Sequence, residues 1–295
     1  MRGNTRTRGL GWRPDLPDFR DYTPGHDDVA RPLKAAKLAA AAPAKKALPA
    51  KQDLRAWCSP VEDQGEIGSC TANAGVALFE YFQRRAKGEH IDASRLFLYK
   101  VTRNLMKEAG DTGAELRTTM GAMALFGVPP EEYWPYRVAD FDKEPPAFCY
   151  SFADNYKAIK YFRLDPPGTD AAAVLASIKY YIAAGIPSMF GFTVYTSIEQ
   201  ADGNGGAIPF PTKKEKVEGG HAIVAVGYDD VRKIRNAYQG GVETKGAFLI
   251  RNSWGTSWGD AGYGWLPYEY LNHGLADDFW SLTKQAWMET GQFGL

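Results

Sequence analysis

Apolar residues recur at helical spacing through the first part of the chain and at strand-like spacing through the last. Between Thr71 and Lys87, the residues Ala72, Val76, Phe79 and Phe82 fall on one face with no internal proline, which predicts a buried helix. The same periodicity predicts helices over Ala93 to Met106, Thr118 to Phe126 and Asp170 to Ala184. From Pro187 onward, short apolar runs separated by glycine-rich turns predict strands over Ser188 to Tyr195, His221 to Tyr228, Ala247 to Asn252 and Gly262 to Pro267. Helices first and strands later predict an α+β fold, with a helix-rich lobe over about 53–184 and a strand-rich lobe over about 185–295. Two loops interrupt the strands. Asp229 to Gly246 reads as a polar hairpin; Ser197 to Gly219 carries Asp202-Gly203-Asn204-Gly205-Gly206, which fits no complete calcium loop and reads as a flexible turn.

The N-terminus breaks from this pattern. Residues 30–52 hold 10 Ala, 5 Lys and 3 Pro, which leaves few groups for a core and predicts a linker or broken helix. Residues 1–29 contain the run Gly11 to Tyr22, in which three aromatics, Trp12, Phe19 and Tyr22, alternate with prolines and favour an extended segment that docks. Charge sharpens this. Residues 1–52 carry 11 Lys/Arg against 5 Asp/Glu and the remainder 24 against 30, so an overall charge of zero divides into parts that attract. Five arginines in the first twenty residues, without a recognisable binding module, do not make a nucleic-acid partner.

At 295 residues and 44% hydrophobic content, the chain is long enough for two lobes with a cleft between them. No apolar run is long enough to span a membrane, and Met1 to Arg6 lacks the apolar stretch of a secretory signal. A cytoplasmic location is the default, with secretion left open. Three cysteines cannot form a disulfide-dense scaffold, and no metal-ligand spacing or phosphate loop is present, so neither metal nor cofactor is expected.

Candidate chemistry lies in three separated segments: Gln64 to Cys70, Gly219-Gly220-His221, and Asn252-Ser253-Trp254-Gly255. Each residue alone has a plain structural reading. Cys70 could be a small core hydrophobe, His221 a satisfied strand histidine, Asn252 a turn cap, Gln64 a surface amide, and Trp254 and Trp258 core residues. Together they offer a thiol nucleophile, an imidazole base, an amide to orient the base and an amide donor for an oxyanion. A thiol attacks as thiolate, and Cys70 at a helix start beside His221 predicts a lowered thiol pKa and an ion pair. Asn252 would fix the imidazole tautomer, Gln64 and the Cys70 backbone N–H would hold the oxyanion, and Trp254 would shield the His–Asn contact.

These segments resemble the papain family of cysteine peptidases, in particular bacterial members with a short prosegment. Gln64 with Cys70 six residues later, His221 opening the apolar strand Ala222 to Val226, and Asn252 through Gly259 carry the resemblance. Asp111-Thr112-Gly113-Ala114 is similar to the family's substrate-cleft turn, and Gly127-Val128-Pro129 through Tyr136 to the segment after it. The resemblance covers about 53–283. It implies a papain-like fold, a helical lobe facing a β-barrel-like lobe, with the active-site cleft between them lined by Asp111, Thr112, Gly113, Gly220 and Trp254. Departures are Thr71 in place of a tryptophan, Gly220 in place of a polar residue and Ile67 in place of a disulfide cysteine; whether Cys58 and Cys149 pair is open.

The expectation is thus a monomeric thiol endopeptidase acting on peptide or protein substrates through an acyl-enzyme, without cofactor, nucleic acid or membrane. Alternatives are a thiol amidase or transpeptidase on cell-wall peptides, or a catalytically silent peptide-binding relative. Residues 1 to about 30 are expected to act as an intramolecular inhibitor, with a purely structural arm as the plainer alternative.

Overall fold

The computed structural model describes residues 8–40, 47–157 and 160–295. An extended arm comes first, holding the two-residue strand β1 (Trp12–Arg13), followed by helix α1 (Asp27–Ala35) and the short strand β2 (Lys51–Asp53). Helix α1 lies where a linker was expected. His26 caps it by accepting from Asp28 N, and Val29, Pro32 and Leu33 are buried on its inner face. The Ala/Lys/Pro composition hid a narrow apolar stripe; residues 41–46 of that stretch lie outside the described residues.

Four helices follow: α2 (Cys70–Lys87), α3 (Arg95–Met106), α4 (Leu116–Leu125, directly after the short strand β3, Ala114–Glu115) and α5 (Ala147–Ala153). Every residue of α2 from Cys70 to Phe82 is buried, and Arg84, Arg85 and Lys87 in its last turn complement the helix dipole before Gly88 ends it in the left-handed conformation. The chain continues through β4 (Lys160–Arg163), α6 (Ala171–Ala183), β5 (Ser188–Tyr195), α7 (Glu199–Asp202), β6 (Val217–Arg235), β7 (Glu243–Arg251), β8 (Tyr263–Pro267), α8 (Glu269–Asn272), β9 (Ala276–Thr283) and α9 (Gln285–Met288). The calcium-like Asp-Gly-Asn-Gly run is the end of α7 and the turn after it.

The large sheet has the order β4-β9-β5-β6-β7-β8, with β2 added on β6, and every pairing in it is antiparallel. Among the described residues no ladder joins β4 to β8, so the sheet is open. Register shifts near Ala225/Gly227 and Asp229/Lys233 bend β6, whose first half is buried and whose second half forms the expected polar hairpin with β7. The lobes divide earlier than the sequence pattern implies: β4 belongs to the sheet and α6 packs on β6. Helix α2 lies against both α3 and β6, which sets Cys70 at the junction of the two lobes.

Candidate functional site

Cys70 is the first residue of α2 and His221 lies on the buried half of β6; neither has exposed surface. The backbone of Ala222, the strand residue after the histidine, together with that of Gly11 and Thr71, acts on the Cys70 thiol in favour of its charged form. His221 Nε2 stands 2.8 Å from Asn252 Oδ1. That oxygen also accepts from Ser253 N at 2.8 Å, which sets the amide so that its oxygen faces the ring. An amide oxygen only accepts, so Nε2 carries the proton and Nδ1 keeps its lone pair, buried with no hydrogen-bond partner. Trp254 stacks on the imidazole with centroids 4.5 Å apart.

Gln64 is fully buried and pinned from two sides. Ser253 Oγ donates to its Oε1 at 2.6 Å, and Tyr136 donates to its backbone carbonyl at 2.9 Å. Its Nε2 donates to Ile67 O at 2.9 Å and to Gly9 O at 3.1 Å. The second acceptor belongs to the arm. Asp111 is exposed, and its carboxylate accepts from Gly68 N at 2.9 Å and from Tyr99, tying down the loop ahead of Cys70. Thr112 beside it is exposed, its hydroxyl donating to Gly113 O.

The arm runs through the space over Cys70. Gly9 N donates to Gly65 O, Ala114 N donates to Gly11 O, and β1 pairs with β3 in parallel, Trp12 opposite Ala114. Glycines on both sides permit this approach. A Cβ on Gly11 would lie 2.0 Å from Gly68 O, one on Gly113 2.2 Å from Gly11 O, and one on Gly220 2.3 Å from Trp12 O. The Trp12 indole lies on Gly191, where a Cβ would fall 1.9 Å from its ring, and its Nε1 donates to Asp278 Oδ2 at 3.1 Å. Arg8 sits over the Trp254 ring and pairs with Asp202, while Arg13 pairs with Glu108.

Of the three aromatics expected to dock, Trp12 is buried and Tyr22 half-buried, its carbonyl accepting from Arg163 N at 2.7 Å. Phe19 is 91% exposed and touches nothing that would hold it; the chain turns outward after Asp15 and leaves its ring in solvent.

Covering the site changes its electrostatics. Burial pushes the Cys70 thiol up to about 11, outweighing the backbone donors around it. Burial likewise lowers His221 to about 4, with the Arg8 charge acting in the same direction and the Asn252 hydrogen bond opposing it. The lowered thiol pKa expected from the helix start is therefore reversed: under the arm both groups are neutral near pH 7.

Sequence reasoning missed Ser253, Tyr136, Gly191 and Asp278. Ser253 was legible inside the Asn-Ser-Trp run, and a glycine within the apolar strand 188–195 signals a close approach. Cys58 and Cys149 are both free and buried. No helix among the described residues is long and apolar enough to cross a membrane.

Residues 48–279 match the papain family cysteine protease family. Xylellain, a cysteine protease from Xylella fastidiosa, superposes with a TM-score of 0.72 at 35% identity, covering 95% of this chain and 97% of its own. An uncharacterized peptidase C1-like protein of Acanthamoeba polyphaga mimivirus is 32% identical over 96% of this chain and 89% of its own length. A digestive procathepsin L 3 of Tenebrio molitor larval midgut shares the fold at a TM-score of 0.62 and 19% identity, covering 94% of this chain and 76% of that one. A senescence-specific cysteine protease of Arabidopsis thaliana is 29% identical over 74% of this chain, which spans 56% of that relative. The chain belongs to the papain family of cysteine proteases.

Proposed function

We propose that the protein is a latent thiol endopeptidase in which Cys70 is the nucleophile, His221 the base, Asn252 the residue that orients the base, and Gln64 with the Cys70 amide the oxyanion donors. The chemistry runs in two halves. Once the arm leaves, water returns to the site, the thiol passes its proton to His221 Nδ1, and the thiolate attacks the scissile carbonyl. Gln64 Nε2 and the Cys70 N–H hold the tetrahedral oxygen, His221 protonates the departing amine, and water then resolves the acyl-enzyme with His221 as base.

The arm is the latency element in this reading. The observation that carries it is the Gly9 carbonyl on Gln64 Nε2, 3.1 Å away. A peptide carbonyl thus occupies the donor proposed for the oxyanion, and the thiol and imidazole beneath it are sealed from solvent.

The assignment is tested on the full chain carrying Trp12→Ala, which loosens the arm. Alkylation that abolishes peptide hydrolysis should label Cys70; a label on Cys58 or Cys149 with Cys70 intact would overturn it. In the same background His221→Ala should abolish hydrolysis, whereas Asn252→Ala should leave a measurable residue of it, because the base remains after its orientation is lost. Equal and total loss in two folded variants would mean that Asn252 does more than orient.

A further inference from the structure

Gln64 lies in a loop rather than on a helix or strand, and Gly65 after it takes a φ of +66°, a turn that lends the chain little stiffness. Its side chain is set by Ser253 Oγ, and its main-chain carbonyl by the Tyr136 hydroxyl, 2.9 Å away. The phenol has one proton and uses it on that carbonyl, so Ser69 Oγ, 2.6 Å from the phenol oxygen, donates to Tyr136. Asn73 Nδ2 in turn donates to Ser69 Oγ at 3.1 Å and to Ser69 O at 3.0 Å. A chain with one direction, from Asn73 to Ser69 to Tyr136 to Gln64, thus ties the first turn of α2 to the loop that carries Gln64. Arg95 of α3 closes its far end. The guanidinium, with the side chain 7% exposed, lies 4.1 Å from the centre of the Tyr136 ring and holds Glu131 through Nε and Nη2 at 3.0 and 2.9 Å. Its Nη1 stands 3.0 Å from Glu62 Oε2 and 3.5 Å from Asn73 Oδ1. Ser69 occupies the N-cap of α2, where a serine ordinarily turns its hydroxyl onto an N–H of the first turn, yet it makes no such bond. The helix forgoes its cap, and the hydroxyl holds Tyr136 instead.

We propose that Tyr136 is a positioning residue for the oxyanion site: its hydroxyl fixes the main chain of Gln64, and through it the direction of Nε2, while Ser69 and Arg95 hold the phenol in place. The inference rests on the reading of Gln64 as an oxyanion donor. A donor stabilises developing charge only when it already points at the place where that charge appears, so a tilt of the loop costs rate without weakening the hold on substrate. Ser253, from the strand-rich lobe, and Tyr136, from the helical one, keep Gln64 between them.

The test is a double-mutant cycle on the full chain carrying Trp12→Ala, with Tyr136→Phe, Gln64→Ala and the two combined. Phenylalanine keeps the ring beneath Arg95 and removes only the hydroxyl. Tyr136→Phe should lower kcat for a peptide substrate by about tenfold with KM unchanged, and Gln64→Ala by on the order of 100-fold. The combined variant should lose no more than Gln64→Ala alone, since a hydroxyl that acts through Gln64 then has nothing to position. Alkylation of Cys70 by iodoacetamide forms no oxyanion and should stay within about twofold of the parent in all three. If Tyr136→Phe does not fold, Ser69→Ala, which removes the donor to the phenol, runs the same cycle. An unchanged kcat in Tyr136→Phe, losses that multiply in the combined variant, or an equal fall in alkylation overturns the inference and leaves Gln64 its role. An unchanged kcat in Gln64→Ala, or a Trp12→Ala chain that hydrolyses nothing, removes the oxyanion reading and the inference with it.

Discussion

Two adjoining stretches of the arm have opposite fates. From Gly9 to Asp15 the backbone lies in a track bordered by Gly68, Gly113, Gly191 and Gly220, with Trp12 buried and both ends hydrogen-bonded to the body. From Leu16 to Arg20 the side chains stand in solvent, Leu16 at 79% exposure and Phe19 at 91%. Composition does not separate the two, since each holds one large aromatic and one proline. What separates them is the body: where it omits Cβ atoms the arm can lie close enough to bond, and past that track there is nothing to receive a ring. Charge does not explain docking by itself either. Arg8 and Arg13 meet acidic partners as the opposite net charges imply, yet Asp15 and Asp21 are held by Arg163 and Arg117 with the signs reversed.

The largest expected effect comes from Trp12→Ala. Deleting a buried indole costs roughly 3 kcal/mol or more, so the arm should open on the order of 100-fold more often and peptide hydrolysis by the full chain should rise accordingly. Unchanged hydrolysis, with the variant folded, would mean the Gly9 to Asp15 stretch is not what keeps the enzyme latent. Arg8→Ala should do much less. It removes an exposed ion pair and a cation–π contact worth together about 1 kcal/mol, a change near fivefold, and added salt should reproduce part of it. Phe19→Ala should change hydrolysis by no more than about twofold, as expected for a side chain without contacts. An effect of Phe19→Ala as large as that of Trp12→Ala would erase the distinction between the two stretches.

Much of the body was legible because its periodicities are strong. Helix α2 begins one residue before its predicted start, and β5 spans the predicted Ser188–Tyr195. Strands β4 and β9 escaped notice because Arg163, Asp277 and Asp278 interrupt their alternation, and Arg163 meets the two aspartates across more than a hundred residues of chain. Likewise, α1 was concealed by alanines and lysines around three buried positions, Val29, Pro32 and Leu33. At the site, residue types and spacing pointed to Gln64, Cys70, His221 and Asn252, and the fold brings them together. Spacing carried no information on the state of the thiol, since its elevated pKa follows from burial beneath a segment sixty residues upstream.

That elevation offers the most direct test of a covered site. The rate of Cys70 alkylation in the intact chain and in Trp12→Ala should be measured from pH 5 to 10, with the label mapped by mass. In the intact chain the thiol should react slowly near pH 7 and gain rate steeply toward alkaline pH, as a neutral buried group does. In Trp12→Ala, with water restored to Cys70 and His221, reaction near pH 7 should be on the order of 100-fold faster and should have lost most of that alkaline dependence, because the pair then shares a coupled titration. Equal rates and equal pH profiles in the two proteins would contradict the claim that the arm covers and neutralises the site.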